Sequence, residues 1–321
     1  MDNLDMRCIY IITPSFNAVE TIEETLYSVF SQRGEYVIHY HVQDGTSCDG
    51  TQNKLEKFAR DISTIDLNGS FIFSWCSQPD KGMYHAISLA VAHLNIPEEA
   101  FMGWINADDL LYAGCIANLF KVVKVLPQVQ WVGGKPMMID MAGNIIPRKS
   151  FDWYGQQLIR NGLCDGVHWP YIQQEGTFWR KWLWDAAGGI NSDLRLAGDW
   201  DLWRRMAEHS PYIQLPWHMG VFRKRYGQLS SNISAYNEEI NSLSPIVSRY
   251  KYLRNVSIET STFFAPTVVS IGENHFQLVE VPLSLRLGCK MRIRLFLLSL
   301  GLHSFVAVCQ KILRALKGGK G

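Results

Sequence analysis

Strand-like and helix-like segments alternate through the first 140 residues, and this alternation predicts an α/β protein with a doubly wound, parallel sheet. Three observations carry the prediction. Apolar runs recur at 8–13, 36–43, 71–76 and 100–105, apolar residues between them return at helical spacing, and the runs end in loops rich in Asp, Gly, Ser and Asn. Residues 8–13 form a strand that Pro14 stops, because proline lacks the N–H a ladder needs. Val19, Ile22, Leu26, Val29 and Phe30 mark a first helix, closed by Gly34. Residues 36–43 form a second strand ending at Asp44-Gly45. Leu55, Phe58, Ala59 and Ile62 mark the next helix. Residues 71–76 form a third strand, and Met83, Ile87, Ala90 and Leu94 a third helix. The run 100–105 is a fourth strand. Ile116, Leu119, Phe120 and Val123 mark a fourth helix, and residues 129–140 read as extended.

The pattern changes after about residue 140. Tryptophans crowd the stretch 153–217, with helices expected near 179–187 and 199–208. The first closes on Gly188-Gly189, residues suited to C-terminal caps. A helix is expected at 237–253, and a hairpin at 266–281 around Gly272-Glu273-Asn274. The chain divides into a main unit, residues 1–230, and an extension, residues 231–321, with a helix, a hairpin and a basic, apolar tail.

Composition narrows the function. The 321 residues carry a net charge of +1, so no global basic field draws nucleic acid, and no nucleic-acid partner is expected. The seven cysteines are dispersed and none forms a C-x-x-C pair, the pattern of reduced thiols in the cytoplasm. The acidic N-terminus lacks the apolar core of a secretory signal. No uninterrupted apolar run reaches 18 residues, so a spanning helix is not expected. The eleven tryptophans allow two readings, a stacking surface for a sugar or lipid-linked acceptor, or core filling, which suits most of them.

Asn106-Ala107-Asp108-Asp109, directly after the fourth strand, is the most informative segment. Ligands of open α/β sheets bind at the carboxyl ends of strands. Two adjacent carboxylates there suit a hard divalent cation, Mg²⁺ or Mn²⁺, that in turn holds phosphate oxygens. A solvated Asp-Asp turn is the competing reading. Thr13-Pro14-Ser15-Phe16-Asn17 and the loop from Asp44 to Thr51 end neighbouring strands and face the same crevice. A buried Asp44 can accept from a base imide or a ribose, or can be a turn residue. Asp49, near a helix start, has a capping role. Gln173, Gln174 and Glu175 contact a substrate or form a polar loop. Phe222-Arg223-Lys224-Arg225 supplies a cation to a diphosphate or forms a solvated edge. His39, His41 and His218 read as structural. No G-x-G-x-x-G follows a strand, which disfavours a dinucleotide dehydrogenase.

In order and spacing, TPSFN, QDGTSCDGT, PDKGMYHA, NADD, QQEGTFWRKWLWDAAGGI and LAGDWDLWRRM resemble family 2 glycosyltransferases of the GT-A fold, over roughly residues 8–225. The resemblance implies an inverting transfer of a sugar from a nucleoside diphosphate donor, a UDP-sugar, to a glycan or lipid-linked acceptor of a surface polysaccharide. It implies that Thr13, Pro14 and Phe16 line the nucleoside pocket, that Asp44 contacts the base, and that Asp80 and Lys81 lie near the nucleotide, with Lys81 reaching the diphosphate. Asp108 would hold the ribose and share the metal with Asp109, and Asp199 would be the catalytic base. An N-cap at the start of its helix is the alternative for Asp199. Two departures stand out: His85 and Ser88 replace an Asp and an Asn after PDKG, and Gly198 replaces the Glu that usually precedes the base. A noncatalytic nucleotide- or glycan-binding protein of this fold is one rival. A sugar nucleotidyltransferase is the other, and it would need a Gly-rich, Arg-containing loop after the first strand.

In the tail, Arg286, Lys290, Arg292 and Arg294 precede an apolar stretch at 295–308, and Lys311, Arg314 and Lys317 follow it. Apolar residues bracketed by cations suit a helix in the interface of an anionic membrane, through residues 283–317. The expected location is therefore the inner face of the cytoplasmic membrane, as a peripheral protein. A helix packed on the protein or on a second copy is the alternative.

Overall fold

The computed structural model describes residues 7–65, 70–147, 154–228, 232–245, 248–249, 264–272 and 275–282, and the single positions 293, 297, 300 and 302. The sheet begins with β1 (Cys8–Ser15), wholly buried, which pairs in parallel with β2 (Val37–Asp44) on one side and β4 (Phe101–Trp104) on the other; β3 (Phe71–Ser77) continues it beyond β2. Successive side chains of a strand point to opposite faces, so β1 supplies both cores. Ile9 and Ile11 pack with Leu26, Leu55 and Ile116, which lie on α1 (Ile22–Phe30), α2 (Thr51–Ser63) and α4 (Cys115–Val125). Tyr10 and Ile12 pack on the other face with Ile87 of α3 (Met83–His93) and Leu202 of α7 (Gly198–Met206). Helices thus cover both faces, as the alternation predicts.

The parallel order breaks beyond β4. Residues 178–180 begin as strand β8 (Phe178–Arg180), which lies antiparallel between β4 and β6 (Trp131–Lys135), and only then does the chain turn into the short α6 (Lys181–Ala186). The expected strand 129–140 is split, with β6 ending before Pro136 and β7 (Met138–Ile139) joining a separate sheet. That second sheet has the order β5 (Leu110–Leu111), β10 (Gly220–Arg223), β7, and it brings Arg223 beneath the acidic turn. Parallel to β6 runs β9 (Ile213–His218), and the hairpin of β11 (Phe264–Gly272) and β12 (His275–Pro282) adds outside β9, so the nine-stranded sheet runs past residue 230 into the extension. The helix expected at 237–253 is α8 (Ile233–Leu243), which starts earlier because Asn232 accepts from the Ala235 N–H and caps it; Pro245 follows shortly after its end. A short helix, α5 (Gln156–Arg160), precedes β8. Most of the tail 283–317, expected at a membrane, lies outside the described residues.

Candidate active site

A cleft of about 1330 Å³ opens where β1, β2, β3 and β4 end. The first two loops are stitched together. The Asn17 N–H donates to Ser47 Oγ at 2.8 Å, the Cys48 N–H to Asn17 Oδ1 at 3.0 Å, and the Ala18 N–H to Thr51 Oγ1 at 2.9 Å. Asp49 plays the expected capping part: Oδ1 accepts from the Thr51 N–H at 3.0 Å and Oδ2 from the Val19 N–H at 3.0 Å. Against the upward push of burial, the Thr51 hydroxyl, which donates to Oδ1 at 2.6 Å, and these two N–H groups hold its pKa below the ordinary value.

Asp44 is buried, as either of its two sequence readings requires, and its bonds in the free chain are those of a turn residue. It is wholly buried and does not line the cleft. Its oxygens accept from the Ser47 N–H at 2.9 Å, Ser47 Oγ at 2.5 Å and Ser77 Oγ at 2.7 Å, so it braces the loop behind the cleft. Thr13 is equally buried and shares a hydrogen bond with the Tyr40 hydroxyl at 3.0 Å. Pro14 and Phe16 do face the cleft, and Phe16 is 66% exposed at its mouth. Asp80 faces it too, over Gly45: a Cβ at position 45 would meet Asp80 Oδ2 at 2.6 Å. Lys81 is exposed beside the cleft and its N–H donates to His85 Nδ1 at 3.2 Å, which gives His85 a local role at this departure from the family pattern.

The acidic turn forms the floor. Asp109 is 1% exposed, with Oδ1 accepting from the Arg223 N–H at 2.7 Å and Oδ2 from Asn106 Nδ2 at 3.0 Å. Asp108 is paired through Oδ2 with Arg225 Nε at 2.5 Å, and its carbonyl accepts from Arg223 Nε at 2.9 Å. Arg223 is itself buried and reaches Glu24 at 2.6 Å, so it supports the floor from beneath, while Lys224 and Arg225 line the cleft. The loop after β7 and α5 adds Glu175. Gln173 and Gln174 have backbone partners, Met137 N–H and Trp104 carbonyl, and the buried Glu175 lines the cleft in electrostatic contact with Asp109. Burial, then the charges of Glu175 and Asp108, push the Asp109 carboxyl well above the ordinary range; burial likewise raises Glu175 to about 7.

Asp199 sits in the first turn of α7 and faces the cleft. Oδ1 accepts from the Trp200 N–H at 2.8 Å and from the Tyr84 hydroxyl at 3.3 Å. Burial lifts its pKa to about 6, in the range where a carboxylate can take up a proton near neutrality. Asp201, two residues on, pairs with Arg204 and Arg205 and turns away, as helical spacing requires. The motif departure at Gly198 has a steric cause: a Cβ there would lie 2.6 Å from the Tyr84 ring. The histidines are structural as expected. His39 stacks on Tyr10 at 4.2 Å, His41 Nδ1 meets Ser74 Oγ at 2.8 Å, and His218 Nδ1 meets the Lys135 carbonyl at 3.1 Å.

Pro14, Phe16, Asp80, Asp108, Asp109 and Asp199 therefore converge on one cleft, whereas Thr13 and Asp44 lie behind it and Lys81 beside it. A profile for glycosyl transferase family 2 matches residues 10–185, more than half of the chain. The chain belongs to glycosyl transferase family 2. Among solved structures, this family 2 glycosyltransferase is similar to S. aureus TarS in complex with UDP, at 14% identity and a TM-score of 0.52, over 78% of this chain and 67% of that one. A second TarS structure gives 14% identity and a TM-score of 0.49, and the match spans 64% of its length. The mannosyltransferase PcManGT from Pyrobaculum calidifontis, in complex with GDP-Man and Mn²⁺, gives 19% identity and a TM-score of 0.49, over 77% of this chain and 64% of that one. The likeness to UDP-bound TarS is one of fold, the GT-A arrangement. No curated protein matches the sequence.

The residues present fit a hard divalent cation. Among the described residues no three His, Cys, Asp or Glu side chains form a metal cage. A cation of this kind instead uses one or two carboxylates with substrate phosphates and water. Asp108 and Asp109 would supply the carboxylates, and the buried Asn106 Oδ1, an oxygen with no partner, lies in the cleft wall beside them.

Proposed function

We propose that this chain is an inverting, metal-dependent glycosyltransferase that moves a sugar from a nucleoside diphosphate donor, a UDP-sugar, to a hydroxyl of a glycan or lipid-linked acceptor in surface polysaccharide synthesis. The observation that carries the reading is one cleft lined at once by the acidic turn Asp108-Asp109 and by Asp199 with its raised pKa. Pro14, Phe16 and Asp80 line the nucleoside end, with Asp44 and Thr13 shaping the loops behind them. Lys224 and Arg225 flank the diphosphate position, and Lys81 stands at its rim. Mn²⁺ or Mg²⁺, held by Asp109 and Asp108, would neutralise the charge that grows on the departing diphosphate.

Asp199 takes the proton of the acceptor hydroxyl as its oxygen bonds to the anomeric carbon, and the bond from that carbon to the diphosphate oxygen breaks in the same displacement. One attack from the face opposite the leaving group inverts the anomeric centre. The nucleoside diphosphate leaves with the bond's electron pair, and Asp199 passes its proton to water. We assign residues 1–230 to catalysis and residues 231–321 to an extension whose basic tail, 283–317, docks on an anionic membrane surface. Among the described residues no helix is long and apolar enough to cross a membrane.

The test is transfer and nucleoside diphosphate release from a panel of UDP- and GDP-sugars, with and without Mn²⁺, for the wild type and Asp109→Asn. Mn²⁺-dependent donor binding in the wild type and its loss in Asp109→Asn are expected. Full turnover in excess EDTA would remove the metal from the reading. Nucleotide binding with no turnover of any donor would favour a noncatalytic binding protein.

A further inference from the structure

Ala197, at the N-cap position of α7, has no side chain that can accept, and within the first turn Asp199 Oδ1 takes the Trp200 N–H. The segment that leads into the helix is held by a distant element. Glu239, in the middle of α8, reaches across and takes three successive backbone donors: the Arg195 N–H at 2.8 Å on Oε1, and the Leu196 and Ala197 N–H groups at 2.8 and 2.6 Å on Oε2. The same segment is gripped from the other side, where the Tyr84 hydroxyl donates to the Leu196 carbonyl at 3.1 Å and touches Asp199. Ile240, the next residue of α8, packs on Ala197 and Trp200 and seats the helix there.

We propose that Glu239 is a positioning residue for Asp199: its carboxylate fixes residues 195–197, and through them the direction in which the base projects into the cleft. This rests on the reading of Asp199 as the base. Carboxylate bonds to N–H groups are among the stronger hydrogen bonds, and an anion at a helix N-terminus is favoured by the helix dipole. Three such bonds on consecutive residues leave the backbone little freedom two residues before Asp199. A base must lie within hydrogen-bond reach of the acceptor hydroxyl, and a displacement of about 1 Å costs on the order of a hundredfold in rate. The extension thus completes the catalytic centre as well as flanking it.

The experiment is a double-variant cycle in the full chain. Turnover at saturating donor and acceptor, donor affinity and melting temperature are measured for wild type, Glu239→Gln, Asp199→Asn and the double variant. Glu239→Gln keeps the length but has one acceptor oxygen, so kcat is expected to fall about tenfold to a hundredfold with donor affinity unchanged. In the double variant kcat is expected to match Asp199→Asn alone within about threefold, because the displaced base is already gone. Losses that multiply instead would make Glu239 a general stabiliser and overturn the inference. So would a Glu239→Gln kcat equal to wild type while Asp199→Asn is impaired, an outcome that leaves the base reading standing. Wild-type turnover in Asp199→Asn removes the base reading, and this inference with it. Should Glu239→Gln fail to melt cooperatively, Glu239→Asp enters the same cycle with the same criteria.

Discussion

Asp199→Asn should make the enzyme slower and the fold more stable, the second because the carboxylate it replaces is buried. Burial raises the Asp199 pKa from its ordinary 3.8 to about 6. A carboxyl with a raised pKa holds its proton more tightly in the folded chain than in the unfolded one. Between about pH 4 and 6 the folded state therefore binds more protons, and stability falls as pH rises through that window. Above it the ionised carboxylate costs about 3 kcal/mol relative to water, at about 1.4 kcal/mol for each pKa unit. Asparagine has the same shape, keeps an oxygen for the Trp200 N–H and the Tyr84 hydroxyl, and carries no charge. At pH 8 the variant should melt about 6 °C above wild type, using about 2 °C per kcal/mol for a chain of this size. At pH 4 the two should melt together. Turnover should fall about 10²–10⁴-fold through loss of the base, and wild-type kcat/KM should decline below about pH 6 as Asp199 takes up its proton. Melting scans at the two pH values and a transfer assay at saturating acceptor measure all of this. Turnover within a few-fold of wild type, or a melting temperature at pH 8 no higher than wild type, would refute the reasoning.

Two further substitutions separate positioning from bracing. Tyr84→Phe keeps the ring against Gly198 but removes the hydroxyl bonds to Leu196 and Asp199, so kcat should drop by about threefold to thirtyfold, the worth of one or two hydrogen bonds, with unchanged donor affinity; a transfer assay showing wild-type kcat would count against it. Asp44→Ala strips the acceptor from Ser47 and Ser77, so a denaturant melt should show a loss of about 1.5–3 kcal/mol, with a weaker nucleotide affinity following from the loosened loop; weaker nucleotide binding at unchanged stability would restore a direct contact between Asp44 and the base.

The alternating half of the fold was legible because periodicity reports burial, and in this half burial follows sequence order. The runs at 8–13, 36–43, 71–76 and 100–105 became β1, β2, β3 and β4 to within two residues, although Pro14 does not stop β1, which stays paired with β2 as far as Ser15. The failures have physical causes. Phe178-Trp179-Arg180 is too short to show a strand period, and its partners, Met102, Phe101, Trp131 and Val132, come from strands far away in sequence. The site divides the same way. Asp108 and Asp109 stand in a motif at a strand end and Asp199 in one at a helix start, and these positions turn all three toward the cleft. Asp44 has the same kind of loop position, but three local donors capture its oxygens, which no motif announces. Glu239 acts across 42 to 44 residues through backbone N–H groups, which any sequence possesses, so nothing in the sequence marks it. Gln173, Gln174 and Glu175 read alike in the sequence, as substrate contacts or a polar loop, and only the fold separates them: the two glutamines bond to backbone while Glu175 lies in the cleft wall with its charge against Asp109.

The tryptophans carry the last step. Their density in the sequence allowed a stacking surface for sugars, yet Trp104, Trp131, Trp179 and Trp203 are all buried. Trp104 is the last residue of β4, two positions before Asn106 and the acidic turn. Trp203 lies one turn of α7 beyond Asp199. The two rings stack at 5.7 Å with planes 9° apart, and Trp179 of β8 closes against both, at 5.3 and 5.2 Å, edge-on. Large aromatic rings in close-packed contact deform little, because any gap forfeits dispersion energy over a wide area. The block therefore ties the strand end that carries Asp108 and Asp109 to the helix that carries Asp199. A displacement reaction needs the leaving group and the attacking hydroxyl held in line across a fixed span. On the proposed reading that span is set from below, by an aromatic wedge between β4 and α7, and Tyr84 and Glu239 hold the segment that carries Asp199 at its upper end.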